Sequence, residues 1–236
     1  MHNSLQRGQA IFVGHGSPMN ALAKNEYTQS LQNWGKTLPH PDAILMISAH
    51  WMTQGTFVSC QPHPRQIYDF YGFPDELYQI KYPCPGDPGL AEKTVKCLHT
   101  FFQTAGEKPK TRDLAAGGCS EAWGIDHGAW TVLMHLFPQA DIPVVPLSLD
   151  MSKPPAYHYL LGQALRSLRT KKVMVIASGN ITHNLALISQ EEDAPVPHWA
   201  RDMDEKIKTL LLARDHDALV GYPHAGLHAS QGIPTQ

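Results

Sequence analysis

Fourteen histidines stand beside only 19 lysines and arginines in this 236-residue chain. Three of them share one kind of place. His15 follows Ile11-Phe-Val-Gly, His50 follows Ile44-Leu-Met-Ile-Ser-Ala, and His183 follows Val173-Met-Val-Ile-Ala-Ser-Gly-Asn-Ile-Thr. Each comes after an apolar run that reads as a strand entering a turn. Neutral imidazole is a ligand for zinc or iron(II), and strand ends are rigid enough to fix a metal's geometry. In open α/β sheets ligands bind beyond the carboxyl ends of the strands, so the three rings can converge on one crevice. A single histidine is more often a satisfied core or turn residue. Three in the same topological place point instead to a shared metal or catalytic site.

A fourth candidate is His127, in Asp126-His-Gly-Ala-Trp130 at the start of an apolar helical run from Trp130 to Phe137. A helix N-terminus disfavours the imidazolium, which suits a neutral ring with a usable proton. The plainer reading is a capping segment with an exposed histidine, and the residues alone leave both open. Gly14 and Gly16 allow a sharp turn around His15, but there is no Gly-x-Gly-x-x-Gly spacing for a dinucleotide loop. Ser17 lacks the Gly-x-Ser-x-Gly setting of a nucleophile elbow. His224 and His228 are weak pocket candidates, because Pro223 and Gly226 oppose the helix that their spacing would need. His2, His40, His63, His99, His135, His158, His198 and His216 read mostly as solvated surface.

The elements that must position these side chains are short apolar runs from Ala10 to Val13, Ala43 to Ser48, Ile142 to Leu149 and Val173 to Ala177. Continuous runs of this kind are buried strands of a largely parallel sheet. Helices are expected between them. Asp87-Pro88 supplies an N-cap and a first-turn proline, with apolar residues recurring from Leu90 to Phe101 and a stop at Gly106. Pro155 to Leu168 and Trp199 to Leu212 are further amphipathic segments. The alternation predicts an α/β fold, a central, largely parallel or mixed sheet flanked by helices. The stretch from Gln61 to Pro88 has little periodicity and reads as a long functional loop. Its Tyr68, Phe70, Tyr71 and Phe73, with Trp51, suit stacking against an aromatic ring, although core packing accounts for some of them.

Composition sets the outer limits. At 42% hydrophobic the chain can bury a core, and its length leans towards one large domain spanning 1–236. A formal charge of −2 argues against nucleic acid or a polybasic membrane patch. Cys60, Cys84, Cys97 and Cys119 form no Cys-x-x-Cys pair, which fits a reduced, cytoplasmic chain. Nothing before Ile11 has signal-peptide character, and no apolar run has the length of a membrane span.

Taken together, the motifs resemble a known family. Gly14-His-Gly-Ser-Pro18, Ser48-Ala-His-Trp51, Tyr68-Asp-Phe-Tyr-Gly-Phe-Pro74, Trp123-Gly-Ile-Asp-His-Gly-Ala-Trp130 and Ser178-Gly-Asn-Ile-Thr-His-Asn-Leu185 resemble, in order, the DOPA-type extradiol ring-opening dioxygenases of the class III, LigB-like group. The resemblance implies a LigB-like (phosphorylase/hydrolase-like) α/β fold and one divalent metal per chain, zinc as found and iron(II) for turnover. His15 and His50 would be metal ligands, and His183 either a third metal-side residue or the acid/base. His127 would be a second active-site histidine contacting substrate or oxygen. The implied reaction is 4,5-cleavage by O₂ of a catechol such as 3,4-dihydroxyphenylalanine to a muconic semialdehyde-type product. The family's carboxyl-terminal motif has the form Pro-x-Pro-Glu-His-Tyr-Leu-Pro, and this sequence stops at Ile233-Pro-Thr-Gln236. A ligand set lacking that segment is therefore expected. Two rivals are a zinc hydrolase that activates water, and a Memo-like binding protein that shares the fold without catalysis.

Overall fold

The computed structural model describes residues 7–104, 118–189, 194–222 and 232. In chain order the elements are β1 (Ala10–Gly14), a 3-10 turn (Pro18–Ala21), α1 (Glu26–Gly35), β2 (Ala43–Thr53), β3 (Phe57–Ser59), α2 (Asp75–Gln79), α3 (Pro88–Thr104) and β4 (Gly118–Ser120). There follow α4 (His127–Leu136), β5 (Val144–Asp150), α5 (Pro155–Ala164), a 3-10 segment (Leu165–Lys171), β6 (Val173–Gly179), a 3-10 turn (Leu185–Leu187), α6 (His198–Ala213) and α7 (His216–Val220). Contacts divide the chain into two units. One comprises Met1–Lys153 with Leu160–Gly179, the other Pro154–Tyr159 with Asn180–Gln236.

The first unit holds a six-stranded sheet of order β1-β6-β2-β5-β3-β4. All neighbours are parallel except β3, which is antiparallel to β5. This is the expected α/β architecture with a mixed sheet. Side chains of successive strand residues point to opposite faces, and Ile44, Leu45 and Met46 of β2 are all essentially inaccessible, so both faces of the sheet's middle are covered. Each such side chain contributes roughly 1.5–3 kcal/mol by leaving water. The register aligns Val13 of β1, Ser178 of β6 and Ser48 of β2 in one row. His15 and His50 each lie two residues past that row, at one end of the sheet. Strand pairing thus brings together residues far apart in sequence.

The helix α4 is buried nearly all round, from His127 to Leu136, and is a core helix rather than an amphipathic one. It starts at His127, earlier than the apolar run predicts, because Asp126 caps it by accepting the Ala129 N–H. The Asp87 cap of α3 forms as expected, with Oδ1 accepting the Leu90 N–H at 2.8 Å. The expected helix from Pro155 ends at Ala164 and tightens into the 3-10 segment, which closes at Lys172 with a left-handed φ of 56°. No sequence expectation covered α1, β3 or β4. The helix α1 opens with an Asn25–Thr28 capping box, a signal the sequence does carry. The strands β3 and β4 have three residues each, too few to show a period.

The segment after β3 and the segment after β4 run side by side. Cys60 N–H donates to Ser120 O, the Gln61 amide to Glu121 O and Trp123 O, and the Arg65 guanidinium to Ala122 O. Ile125 N–H donates to Arg65 O at 2.8 Å, and Ile67 N–H to Ile125 O at 2.7 Å. A Cβ at Gly124 would collide with the Arg65 carbonyl, so only glycine permits this approach. The expected loop from Gln61 to Pro88 is thus laced to the chain that leads into α4, and the short α2 interrupts it. Among the described residues, which include all four cysteines, there is no disulfide.

In the second unit, α6 ends at Arg214 in the left-handed region, and Asp215 caps α7 by accepting the Ala218 N–H at 3.0 Å.

Candidate metal centre

His15 leaves β1 still held by the sheet, its N–H donating to Gly179 O at 3.0 Å. Gly16 then takes a φ of +65°, which L side chains resist, and a Cβ there would strike the Asn20 amide. That amide donates to His15 O at 3.0 Å, and Tyr27 Oη donates to Gly14 O at 2.5 Å. Ser17 caps the following turn by accepting the Met19 N–H, a structural use in keeping with its poor setting as a nucleophile. The His15 ring is buried, with Nδ1 2.8 Å from Ser178 Oγ. Ser178 gives its only proton to the Gly128 carbonyl at 2.6 Å, so towards His15 it can only accept. His15 therefore carries its proton on Nδ1 and keeps the lone pair on Nε2.

His50 was expected in a turn beyond its strand. It lies instead inside β2, where the pairing with β5 slips: Ile47 pairs Leu147, but Met52 pairs Leu149. Such an irregularity re-aims side chains, and here it turns the ring towards His15. Ser48 fixes the backbone below, accepting the His50 N–H at 3.2 Å and donating to Asp126 Oδ1 at 2.6 Å. Asp126 also accepts the Trp123 indole N–H at 2.9 Å on its other oxygen. Burial raises the Asp126 pKa, more than the hydrogen bonds from Ser48 and Trp123 lower it.

His127, the first residue of α4, is buried and not the exposed residue of the capping reading. One oxygen of Asp69 accepts both its backbone N–H and its Nδ1, each at 2.9 Å. The second oxygen of Asp69 lies 3.4 Å from His50 Nδ1. Burial works to raise the Asp69 pKa, but the hydrogen bonds from His127 and the charges of His127 and His50 outweigh it and hold the group below the ordinary carboxylate range. Close against the His15 and His50 rings lies Gly128, where a Cβ would come within 2.8 Å of His50 Cδ2, 2.8 Å of Ser48 Oγ and 3.0 Å of His15 Nδ1.

His15, His50 and His127 thus form a group whose ligand atoms all lie within 4.8 Å of one another, one able to hold a single metal ion. The Nε2 atoms of His15 and His50 are 3.2 Å apart. Two nitrogens on one ion at about 2.0–2.1 Å stand roughly 2.8–3.4 Å apart for octahedral to tetrahedral angles, so this spacing fits a divalent ion without rearrangement. The fourth predicted site residue, His183, lies in the second unit, where its N–H donates to Gly232 O at 2.6 Å, and it is not a member of the group. His224 and His228, like the final residues where the family motif was expected to be missing, lie outside the described residues. His135 departs from the surface reading: it is buried and bonded to Asn20 and Gln32. Of the aromatic segment, Phe70 sits edge-on to His127 with centroids 5.6 Å apart, and Tyr68, Phe70, Phe73 and Tyr78 pack on one another, whereas Tyr71 is 92% exposed.

Residue reasoning missed Asp69, Ser48 and Ser178. Position in sequence was a usable signal for Ser48, two residues before His50 on the same face, and for Asp69, inside the Tyr68-Asp-Phe motif.

Comparison with known proteins bears directly on this centre. The family model described as the catalytic LigB subunit of aromatic ring-opening dioxygenase matches residues 9–236. The chain belongs to this family. Its members are ring-opening dioxygenases, enzymes that act on a small aromatic molecule and O₂. A protein of Escherichia coli (strain K12) named 4,5-DOPA dioxygenase extradiol is 46% identical over 98% of this chain and 82% of its own length. A protein of the same name from Beta vulgaris is 36% identical over 91% of this chain and 76% of its own length. A crystal structure of an uncharacterized protein from Escherichia coli K12 superposes with a TM-score of 0.78 at 38% identity, covering 97% of this chain and 84% of that one. No helix among the described residues of this ring-opening dioxygenase is long and apolar enough to cross a membrane.

Proposed function

We propose that the chain opens a catechol ring by extradiol insertion of O₂, acting in the cytoplasm on 3,4-dihydroxyphenylalanine or a close relative by 4,5-cleavage to a muconic semialdehyde-type product. The observation that carries this reading is the pair of Nε2 atoms 3.2 Å apart, with His127 beside them and Asp69 behind. The names of the Escherichia coli and Beta vulgaris relatives support the choice of substrate.

His15 and His50 are the proposed metal ligands, each through Nε2. When bound, a divalent metal supplies a Lewis-acid point for a catecholate and, if it is iron(II) rather than redox-inert zinc, a path for electrons between ring and oxygen. His127 handles the proton. Its Nδ1 is occupied by Asp69, which leaves Nε2 to take the proton of a catechol hydroxyl and to return it later in the reaction. Phe70 stands edge-on to the His127 ring and gives it an apolar neighbour. His183 is proposed as the further metal-side or acid/base histidine.

The test is anaerobic loading with iron(II), followed by O₂ uptake and product spectra across a panel of catechols, with the zinc-loaded protein as control. Catechol-dependent O₂ consumption by the iron form alone is expected. Turnover of an ester or amide without O₂ would make the protein a zinc hydrolase. No turnover of any catechol at full iron(II) loading would leave a binding protein.

A further inference from the structure

His15 sits between two peptide units, and a side chain from beyond the strand holds each of them. The first unit joins the Gly14 carbonyl to the His15 N–H and is fixed at both ends. Tyr27 Oη donates to Gly14 O at 2.5 Å, and the His15 N–H donates to Gly179 O at 3.0 Å. The second unit begins with the His15 carbonyl, which accepts the Asn20 side-chain amide at 3.0 Å. A peptide unit is planar, so the soft rotations between two of them are φ and ψ of the residue they flank. Holding both planes sets both angles, and with them the direction in which the His15 Cβ leaves the backbone. We infer that Asn20 and Tyr27 are positioning residues that together lock the backbone of His15 and so aim its ring at the metal centre. The effect on metal binding rests on the proposed reading of His15 as a ligand. The backbone lock does not.

The local chain is arranged around these two bonds. β1 is the edge strand, with β6 as its neighbour, and Gln9 and His15 bond to that neighbour. By alternation the Gly14 carbonyl faces away from β6, where the sheet offers no further strand, and Tyr27 of α1 supplies the donor instead. Gly16, at a φ of +65°, turns the chain and leaves room for the amide, since a Cβ there would come within 2.7 Å of Asn20 Nδ2. Asn20 is itself anchored, its N–H donating to Ser17 O at 3.0 Å and its carbonyl 2.8 Å from His135 Nε2. The Asn25–Thr28 capping box fixes the first turn of α1, which carries Tyr27. Both donors therefore stand on elements that are held without help from His15.

The test compares three single variants of the full chain. Asn20→Ala and Tyr27→Phe each remove one donor, and Asp87→Ala removes the cap of α3 and touches neither peptide unit. Metal-free protein is read first by hydrogen exchange. In the first two variants the His15 amide should exchange about 10-fold faster or more, with the Val175 amide, bonded to Gln9 O in the same strand pair, unchanged. In Asp87→Ala the two amides should keep their ratio. Zinc affinity by chelator competition should fall by about 10-fold or more in the first two variants and stay within about 2-fold in the third. The d–d bands of the cobalt(II)-loaded protein, which follow ligand geometry, should shift in the same two variants alone. A merely structural role would lower the thermal midpoint and leave these readouts where Asp87→Ala leaves them. Unchanged His15 exchange in folded Asn20→Ala or Tyr27→Phe would overturn the lock, and Tyr27→Phe, which keeps its ring, carries the test should Asn20→Ala fail to fold. Faster exchange with zinc affinity and cobalt spectrum unchanged would overturn the aiming of the ring. Full zinc stoichiometry in His15→Ala would instead overturn the ligand reading, with the exchange result standing.

Discussion

The two ends of α4 each carry a buried histidine, His127 at 6% exposure and His135 at 7%. Burial does not separate them, but their hydrogen bonds do. At the C-terminal end, His135 Nε2 lies 2.8 Å from the Asn20 carbonyl and must donate, while Nδ1, 3.3 Å from the Gln32 amide nitrogen, accepts. Both ring nitrogens are engaged by the protein. At the N-terminal end, His127 gives only Nδ1 to Asp69, and its ring joins those of His15 and His50. Two histidines on one helix hold opposite tautomers. His135, held by the Asn20 carbonyl and the Gln32 amide, is structural, and His127, closed on Asp69 through one nitrogen, has the other for chemistry.

The sharpest break with that contrast would come from the metal. His15→Ala and His50→Ala are each expected to abolish stoichiometric metal binding, since each removes a direct bond; elemental analysis decides it, and full metal in both variants would sink the centre. Next in size, His127→Ala should retain the metal but lower catechol-dependent O₂ uptake by roughly 10²–10⁴-fold, the range for a positioned acid or base. Loss of metal in this variant would make His127 a third ligand instead. Gly128→Ala tests the floor beneath His15 and His50: its methyl must push apart His50, Ser48 and His15, at a stability cost of about 1–3 kcal/mol in a denaturant midpoint and with weakened metal binding. At the other end of the helix, His135→Ala leaves the Asn20 carbonyl unpaired and should cost about 1–3 kcal/mol with metal content intact. A variant of His135 that lost its metal would collapse the distinction between the two ends. The smallest effect belongs to Tyr71→Ala, within about 0.5 kcal/mol in stability because the ring is exposed; any change in catechol KM would place Tyr71 at the substrate.

How much of this was legible in the sequence varies by residue. His15 and His50 were legible because parallel strands align their ends, and a run of apolar residues before each histidine marks where the strand ends or bulges. His127 was visible as a helix-start histidine, but its burial was not, because that depends on the Asp69 segment folding over it. His135 was misread for the converse reason. Its partners, Asn20 and Gln32, lie more than a hundred residues away, and no local pattern announces a pairing across that distance. The long strands were found by hydrophobic runs, whereas β3 and β4 were missed because three residues of pairing leave no period to detect. Ser178 is the subtlest case. Its hydroxyl sets the His15 tautomer only because the Gly128 carbonyl takes its proton, a relation of three segments that the sequence holds but does not display.

The lacing of the Cys60 segment to the Ser120 segment has a consequence for how the centre comes apart. The carboxylate of Asp69 and the ring of His127 sit at the ends of two strips of chain that share backbone bonds at Ile67, Ile125 and Arg65. Neither strip can swing away without breaking that shared ladder, so the two leave the native state as one cooperative unit. In hydrogen exchange the amides of Ile67 and Ile125 then report a common opening free energy, and a protein that has released Asp69 has also released the start of α4. Thermal or chemical stress is therefore expected to dismantle the proton-handling side of the centre in one step, while His15, pinned to β6 by its own backbone bond to Gly179, opens only with the sheet.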